Sequence, residues 1–155
     1  MQTEDEITIE AEQEQLWALI SDPEVLVNCV PGAKEVTQES ETEYTGVIER
    51  SLAGVTLSLN GEVDMIEREP PTYVKVDAVG EDSRTNSRMD ATAEMTIAES
   101  GDGASELSYV IDMEFTGRLA TLGSRLVKRK IRSDIDEFFE NVRDELENGE
   151  AASDG

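Results

Sequence analysis

Histidine is absent from this sequence of 155 residues, and cysteine occurs once, as Cys29. No imidazole is therefore available to activate a nucleophile, and a lone cysteine cannot form an internal disulfide. Cys29 is predicted to be a small buried apolar residue, because acidic residues surround it and no base does. Paired carboxylates such as Asp112 and Glu114 alternate onto the outer side of a strand. We therefore predict no catalytic residues, no metal, no cofactor and no enzymatic activity.

Long apolar runs are also missing. No segment approaches the ~18 apolar residues of a membrane-spanning helix, and residues 1–6 lack the basic and apolar regions of a signal peptide. We expect a cytoplasmic protein. Its length suits one domain, predicted at residues 1–147, followed by a disordered acidic tail at residues 148–155.

Basic residues are scarce relative to acidic ones. The chain has 36 aspartates and glutamates against 13 lysines and arginines, a net charge of −23, and the acids are spread along its whole length. Salt screens their mutual repulsion, with a Debye length of about 3 Å at 1 M, so the composition is typical of a salt-rich cytoplasm. We therefore predict a halophilic source. The alternative is an acidic mimic of nucleic acid, which would need its charges in rows on one face.

The first third of the chain predicts one strand and two short helices. Alternation from Ile7 to Ala11 is typical of a strand with one buried face, and residues 12–21 have apolar side chains at helical spacing. Asp22 followed by Pro23 ends that helix and begins another, with Asp22 as its cap.

From Lys34 onward, apolar and polar residues alternate in a series of strands. The longest alternation, from Val55 to Met65, has Gly61 in its middle, where we predict a bulge or kink. The sequence Gly101-Asp102-Gly103 predicts the turn of a hairpin between the last two strands.

The longest helical pattern runs from Gly117 to about Leu146. Apolar residues recur there at three- and four-residue spacing, which predicts one α-helix of some eight turns at ~3.6 residues each. Its apolar stripe can be buried on the apolar face of the sheet. The sequence therefore predicts an α+β fold: a curved antiparallel sheet of about six to seven strands wrapped on a long C-terminal helix, with two short helices after the first strand.

Two stretches resemble the family of the CoxG subunit of carbon monoxide dehydrogenase. They are residues 22–33, DPEVLVNCVPGA, and residues 117–126, GRLATLGSRL, the latter followed by Phe138-Phe139. With Leu16-Trp17 and the element order, the resemblance covers roughly residues 5 to 146. That family belongs to the START-like, helix-grip superfamily, many of whose members enclose an apolar ligand cavity between sheet and helix.

The resemblance implies an accessory protein for molybdenum-containing hydroxylases or a carrier of a small apolar molecule. Membrane or quinone association has been proposed for some members. This chain stops without the hydrophobic tail of some relatives, so we expect any membrane association to be peripheral, at the inner face.

Four of the five methionines lie on the predicted inward faces of strands. Methionine is flexible and polarisable, so such a lining could adapt to an apolar guest, although the same spacing also describes an ordinary core. With the resemblance, the predicted ligand-binding residues are Leu57, Leu59, Met65, Val76, Met89, Met95, Tyr109, Met113, Leu122 and Leu126.

Aromatic residues are few, and two of them are informative. Tyr109 lies on an inward face between Leu107 and Ile111, so its hydroxyl is expected to meet either a backbone group or a ligand carbonyl. Trp17 is expected to pack the first helix against the sheet.

Residues 118–132 have six basic side chains and no acid, and we call them the basic segment. Its cations either pair with nearby strand carboxylates or form a dock for an acidic partner, such as an oxidoreductase complex or a membrane surface. Nucleic acid is not expected as a partner, because the overall charge repels phosphate. The six cations are Arg118, Arg125, Lys128, Arg129, Lys130 and Arg132.

Two hypotheses of function follow. In the first, the protein is a non-catalytic binding protein that encloses a lipid, an isoprenoid or a quinone-like molecule, accessory to a molybdenum hydroxylase or carbon monoxide dehydrogenase-type oxidoreductase. In the second, it is an assembly or docking factor for such an oxidoreductase and has no ligand of its own.

The acidic composition leads to a prediction about salt. Like-charge repulsion is stronger in the compact fold than in the expanded chain, so the melting temperature at neutral pH should climb markedly from low salt to molar KCl. The climb should be smaller at about pH 5, where part of the carboxylate charge is neutralised. Thermal melts across a KCl series at both pH values measure this.

Sodium sulfate is the control for that experiment, because sulfate also strengthens apolar burial by a separate mechanism. A melting temperature that does not respond to KCl at neutral pH would contradict the halophile interpretation.

Overall fold

The computed structural model describes the backbone of residues 1–154 and the side chains of residues 1–147. Within this range the chain forms seven strands and four helices. The strands are β1 (Gln2–Ile9), β2 (Ala33–Gln38), β3 (Glu43–Leu52), β4 (Val55–Glu69), β5 (Tyr73–Asp82), β6 (Ser87–Gly101) and β7 (Ala104–Gly117). The helices are α1 (Gln13–Ile20), α2 (Pro23–Cys29), α3 (Arg118–Thr121) and α4 (Ser124–Asp154).

The strands form one antiparallel sheet in the order β1-β7-β6-β5-β4-β3-β2. The first two strands in sequence therefore lie at opposite edges, and α1 and α2 connect them. Helix α2 begins as predicted: Pro23 is in its first turn, and the Asp22 side chain accepts a hydrogen bond of 2.9 Å from the backbone N–H of Glu24. The predicted α+β class, the two short helices and the long C-terminal helix are confirmed.

Strand alternation places one set of side chains toward α4. Val74, Met95 and Tyr109, for example, are direct neighbours across β5, β6 and β7, and all three face inward. The hairpin predicted at Gly101-Asp102-Gly103 joins β6 to β7. Because side chains point alternately to the two faces of a sheet, the regular pairing keeps the inward face apolar over most of its area.

Helix α4 is packed against the rest of the fold by two separate core clusters. The larger one joins the C-terminal half of α4 to α1, α2 and the β6–β7 hairpin, and the smaller one joins its N-terminal turns to α3 and β4. The backbone of α4 lies close to α2 and farther from every strand. The buried members of the larger cluster are Ile9, Ala11, Leu16, Cys29, Ile97, Leu107, Tyr109, Phe139, Val142 and Leu146. Those of the smaller cluster are Leu52, Leu57, Leu59, Leu119 and Val127.

The C-terminal helix is not the single unit predicted from Gly117 onward. It divides into α3 and α4 at Leu122 and Gly123, where Gly123 has a φ of 93°, a conformation that glycine adopts without steric penalty. The apolar spacing is maintained across this break, so periodicity could not reveal it. The predicted disordered tail at residues 148–155 falls on residues whose side chains lie outside the described set, and it stays a prediction.

The prediction of a bulge at Gly61 is also wrong. Gly61 pairs regularly with Gly46 on β3 and Gly80 on β5, and the register shifts between Met65 and Glu67 instead. Ile66, at that shift, is an exposed large hydrophobic residue at 45% exposure.

The turn from β7 into α3 is packed against the loop between β5 and β6. The backbone N–H of Leu119 donates to Ser87 Oγ at 3.1 Å, and that of Arg118 donates to the carbonyl of Asn86 at 3.3 Å. Gly117 has a φ of 75°, and a Cβ at this position would lie 1.5 Å from the carbonyl oxygen of Asn86. Only glycine fits there.

Gly117→Ala should therefore destabilise the fold far more than the same change at Gly101. Gly101 has a similar φ of 86°, but a Cβ there meets nothing within 4 Å. We expect the control to cost about 1–2 kcal/mol from backbone strain alone, and Gly117→Ala to cost at least about 3 kcal/mol because backbone must also move. Urea unfolding at constant KCl measures both, and equal losses would contradict this account.

Candidate functional site

A cavity of about 580 Å³ lies between the inward face of the sheet and the middle of α4. It lies between the two core clusters, in the part of the space under α4 that neither cluster fills. Ile131, Ile135 and Phe138 of α4 form its roof, and Trp17, Ile20 and Leu26 of the short helices form one wall. Its size falls within the roughly 300–1,000 Å³ range of small-molecule sites, and its lining is mostly apolar.

Eight of the ten predicted ligand-binding residues line this cavity, and two do not. Leu122 and Leu126 pack instead against the smaller core cluster, around Leu119 and Val127. The apolar stripe of the C-terminal region is wider than the part that faces the cavity: Leu119 and Val127 of its first turns line the cavity, and Leu122 and Leu126 do not. Ligand contact by the other eight stays a prediction. They are Leu57, Leu59, Met65, Val76, Met89, Met95, Tyr109 and Met113.

Part of the space exists because a row of inward positions has no side chain. Gly46, Gly61 and Gly80 are direct neighbours across three strands, and the first two line the cavity. A Cβ at Gly61 would lie 3.7 Å from its nearest heavy atom, the carbonyl oxygen of Gly46, which is an ordinary contact. A side chain is therefore tolerated at Gly61 and would project into the cavity.

Tyr109 lies where the cavity meets the larger core cluster. Its ring stacks on Phe139 with centroids 5.8 Å apart, and it is 8% exposed. Among the described residues, its hydroxyl has neither a backbone nor a side-chain hydrogen-bond partner. Burial raises the pKa of Tyr109, and so do the charges of Asp5 and Asp136, so the hydroxyl stays protonated and can donate.

The other aromatic residues have structural contacts. The Tyr44 hydroxyl donates a 2.5 Å hydrogen bond to the carbonyl of Ser21, which ties β3 to the end of α1. Tyr73 faces outward, with its hydroxyl 3.4 Å from Glu94. Trp17 packs against the larger core cluster and also lines the cavity.

A charged group lies at the edge of this apolar cavity. Arg50 Nη2 on β3 donates to Asp134 Oδ1 on α4 at 2.5 Å, and Lys130 Nζ lies 3.5 Å from the same oxygen. All three residues line the cavity, and their side chains are 21%, 24% and 34% exposed for Arg50, Asp134 and Lys130. Partial exposure places them where the cavity meets solvent.

Sequence reasoning missed Arg50, although a signal was present. The inward register of β3 runs Ile48, Arg50, Leu52, so alternation alone places a cation in an apolar row. Its partner Asp134 lies 84 residues away on α4, and no sequence pattern connects the two.

The guanidinium of Arg50 is only partly satisfied. Within the described part of the chain, its Nε is buried and has no hydrogen-bond acceptor. An unmet buried donor costs about 1–3 kcal/mol. The stem is closely confined as well, because a Cβ on Gly32 would come within 2.8 Å of Arg50 Cδ.

Cys29 is a core residue, as predicted. It is 0% exposed, and its carbonyl accepts a hydrogen bond of 2.9 Å from Asn141 Nδ2 on α4. Burial, together with the nearby charges of Glu145 and Asp144, raises the pKa of its thiol to about 11. The thiolate that nucleophilic chemistry requires is therefore disfavoured at neutral pH.

The basic segment is largely free of internal ion pairs. Among side chains of residues 1–147, only Lys130 of its six cations makes a salt bridge, with Asp134 on its own helix and not with a strand. Arg125, Arg129 and Arg132 are exposed and follow helical spacing on the side of α4 away from the cavity. The predicted pairing with strand carboxylates is thus not observed in that range.

Two kinds of feature are absent from the described residues. They contain no group of three or more side chains arranged to hold a metal ion. None of their helices combines the length and apolar character needed to span a bilayer.

The family described as the CoxG subunit of carbon monoxide dehydrogenase has a sequence model that matches residues 6–147. The chain belongs to this family. Both stretches on which the resemblance rested, residues 22–33 and 117–126, lie inside the matched region, so the resemblance is confirmed. No curated protein matches the sequence.

Solved structures show the same fold at low sequence identity. A conserved protein from Geobacillus kaustophilus is 21% identical, with a TM-score of 0.88 and 96% of both chains covered. A START superfamily protein from Mycobacterium smegmatis is 11% identical, with a TM-score of 0.71 and coverage of 95% of this chain and 97% of that one. The Zhui aromatase/cyclase of a Streptomyces species is 11% identical, with a TM-score of 0.70 and coverage of 95% and 93%. The chain therefore has the START-like fold.

Proposed function

We propose that the protein is a non-catalytic carrier that encloses a small apolar molecule, such as a lipid, an isoprenoid or a quinone-like compound. The observation that supports this most directly is the cavity of about 580 Å³ under α4, lined by eight of the residues expected from the sequence. Four of them are methionines, whose flexible side chains can adjust to a guest. Membership of the CoxG family and the START-like fold agree with a binding or accessory role.

A catalytic role has less support from the side chains. The one cysteine is buried with a raised pKa, and the chain has no histidine. The polar and charged residues of the cavity lining include Tyr109, Arg50, Lys130 and Asp134, and Glu35 and Glu94 also lie along it. These groups can bind and orient a molecule.

Gly61→Leu should reduce ligand binding without unfolding the protein. The new side chain would project into the cavity from β4, and the contacts around its Cβ are ordinary. We expect affinity for quinones, fatty acids or isoprenoids to fall by at least about tenfold, as methylene contacts are displaced. Displacement of a fluorescent apolar probe in molar KCl, with thermal shift as a second readout, measures the change.

Ala98→Val is the matched control, because Ala98 is an exposed residue of β6 and its enlargement leaves the cavity unchanged. If no apolar compound binds the wild-type protein, or if both variants bind as tightly as wild type, the carrier proposal fails.

A second candidate is a docking role toward an acidic surface of an oxidoreductase. The observation in its favour is the row of exposed cations on α4, which is unusual in a chain of net charge −23. Charged rims contribute to association rate and partner choice more than to intrinsic affinity. Such a role requires neither an empty cavity nor a bound ligand.

The triple change of Arg125, Arg129 and Arg132 to glutamine tests this role. We expect it to abolish co-purification with a molybdenum-hydroxylase-type oxidoreductase, whereas Gly61→Leu should leave that association intact. The matched control changes Lys34, Arg84 and Arg143 to glutamine, which alters the net charge equally at exposed sites elsewhere. Equal loss in both triple variants would point to net charge alone and would contradict a defined dock.

A further inference from the structure

Charged side chains from two elements meet in the lining of the apolar cavity. Arg50 comes from the inward row of β3, where its cross-strand partner is Leu57 and its neighbours on the same face are Ile48 and Leu52. Asp134 comes from the middle of α4. A guanidinium in an apolar wall is unfavourable unless it is paired, and pairing with Asp134 satisfies only part of it.

The Arg50 guanidinium has donors without acceptors, and its stem is closely packed. Arg50 Nη2 is occupied by Asp134, while the buried Nε has no acceptor among the described residues. The backbone at Gly32 confines the Arg50 stem, since a Cβ there would approach Cδ to 2.8 Å. The Arg50 stem is therefore packed against the chain just before β2, and Nη1, which makes no hydrogen bond among the described residues, is the donor left for a molecule in the cavity.

The charges at this place do not cancel. Arg50 and Lys130 both contact Asp134 Oδ1, at 2.5 and 3.5 Å, so two cations share one carboxylate. Within this group of three residues the cations exceed the carboxylate by one, and hydrogen bonds to charged groups are strong. An oxygen atom of a molecule in the cavity can accept from the terminal nitrogens of Arg50 and so complete this arrangement.

We propose that Arg50 is the head-group site of the cavity, and that the ligand is an amphiphile whose apolar tail lies under α4 while its oxygen head group accepts hydrogen bonds from the guanidinium. The inference rests on the proposed apolar-ligand function and narrows its ligand class. Carboxylates and neutral carbonyls share the required acceptor oxygen, and the net positive charge favours the carboxylate.

A purely structural role for the same residues makes different predictions. If the Arg50–Asp134 pair only ties β3 to α4, removing either partner should weaken all ligands alike, through loss of the cavity's shape. If Arg50 holds a head group, its removal should affect only ligands with an acceptor, and removal of Asp134 should free further donors on Arg50.

The experiment compares three ligands with the same tail: dodecanoate, methyl dodecanoate and dodecane. Each displaces a fluorescent naphthylamine probe from the full chain in KCl at about 1 M, where charges farther away than about 3 Å are screened. The three ligands differ only in head group: an anionic acceptor, a neutral acceptor and none. Circular dichroism and melting temperature confirm that each variant is folded.

Arg50→Met should lower the affinity for dodecanoate by about ten- to hundredfold, the usual range for a hydrogen bond to a charged group. The affinity for methyl dodecanoate should fall less, and the affinity for dodecane should hardly change. Arg50→Lys, which retains the charge but not the two terminal guanidinium nitrogens, should give an intermediate loss. It also serves as the second variant if Arg50→Met fails to fold. Asp134→Asn should leave dodecanoate affinity unchanged or raise it.

The outcomes separate this inference from the function on which it depends. Equal weakening of all three ligands by Arg50→Met, or loss of dodecanoate affinity in Asp134→Asn, would overturn the head-group site and leave the carrier function standing. Failure of all three ligands to bind the wild-type protein would overturn both. If Arg50→Met lowers the affinity for dodecanoate more than that for methyl dodecanoate, the head group is anionic. If it lowers both equally and leaves the affinity for dodecane unchanged, the head group is a neutral carbonyl.

Discussion

Helix α4 must cover the apolar face of a curved sheet, and a helix laid over a concave surface packs tightly only where the surface rises to meet it. The two core clusters mark those places. Phe139, Val142 and Leu146 anchor one end, and Val127 with Leu119 anchors the other. Between them the helix is held away from the strands, so the cavity results from how the sheet is covered. Fold stability and the size of the cavity therefore depend on the same packing.

The residues over the gap are adapted to open space in two ways. Glycines at Gly46 and Gly61 remove side chains from the sheet face, and methionines at Met65, Met89, Met95 and Met113 supply a lining that can change shape. A charged group, Arg50, Lys130 and Asp134, lies at the margin, where it meets solvent.

Charge is distributed in three distinct ways in this molecule. Carboxylates cover the outer surface and set the net charge of −23, while the cations of the basic segment are grouped on the exposed side of α4. The third arrangement, at the cavity margin, is a small group in which cations outnumber the single carboxylate. The first acts over the whole molecule and is weakened by salt, whereas the partly buried group is screened much less. The two arrangements therefore differ in how strongly salt weakens them.

Much of the fold could be predicted from the sequence because it depends on local periodicity. Alternation identified the strands and their inward residues, the Asp22–Pro23 pair identified the start of α2, and the spacing of apolar residues identified the C-terminal helical region. The break at Gly123 was missed because Leu122 and Leu126 keep the helical spacing across it. The same two residues were placed in the cavity because periodicity shows which side of a helix is apolar, not what that side contacts.

The sequence by itself determined the order of the elements, the apolar character of the inward faces, the acidic surface and the absence of a histidine-based site. Only the tertiary structure decided that the inward faces enclose a cavity, that Arg50 meets Asp134 at its margin, and that the donor at Nε lacks an acceptor among the residues described. The reason is physical: a residue's side of a strand or helix follows from the backbone repeat of two or 3.6 residues. The distance between two facing surfaces, and which charges meet across it, depends on the packing of elements far apart in the chain.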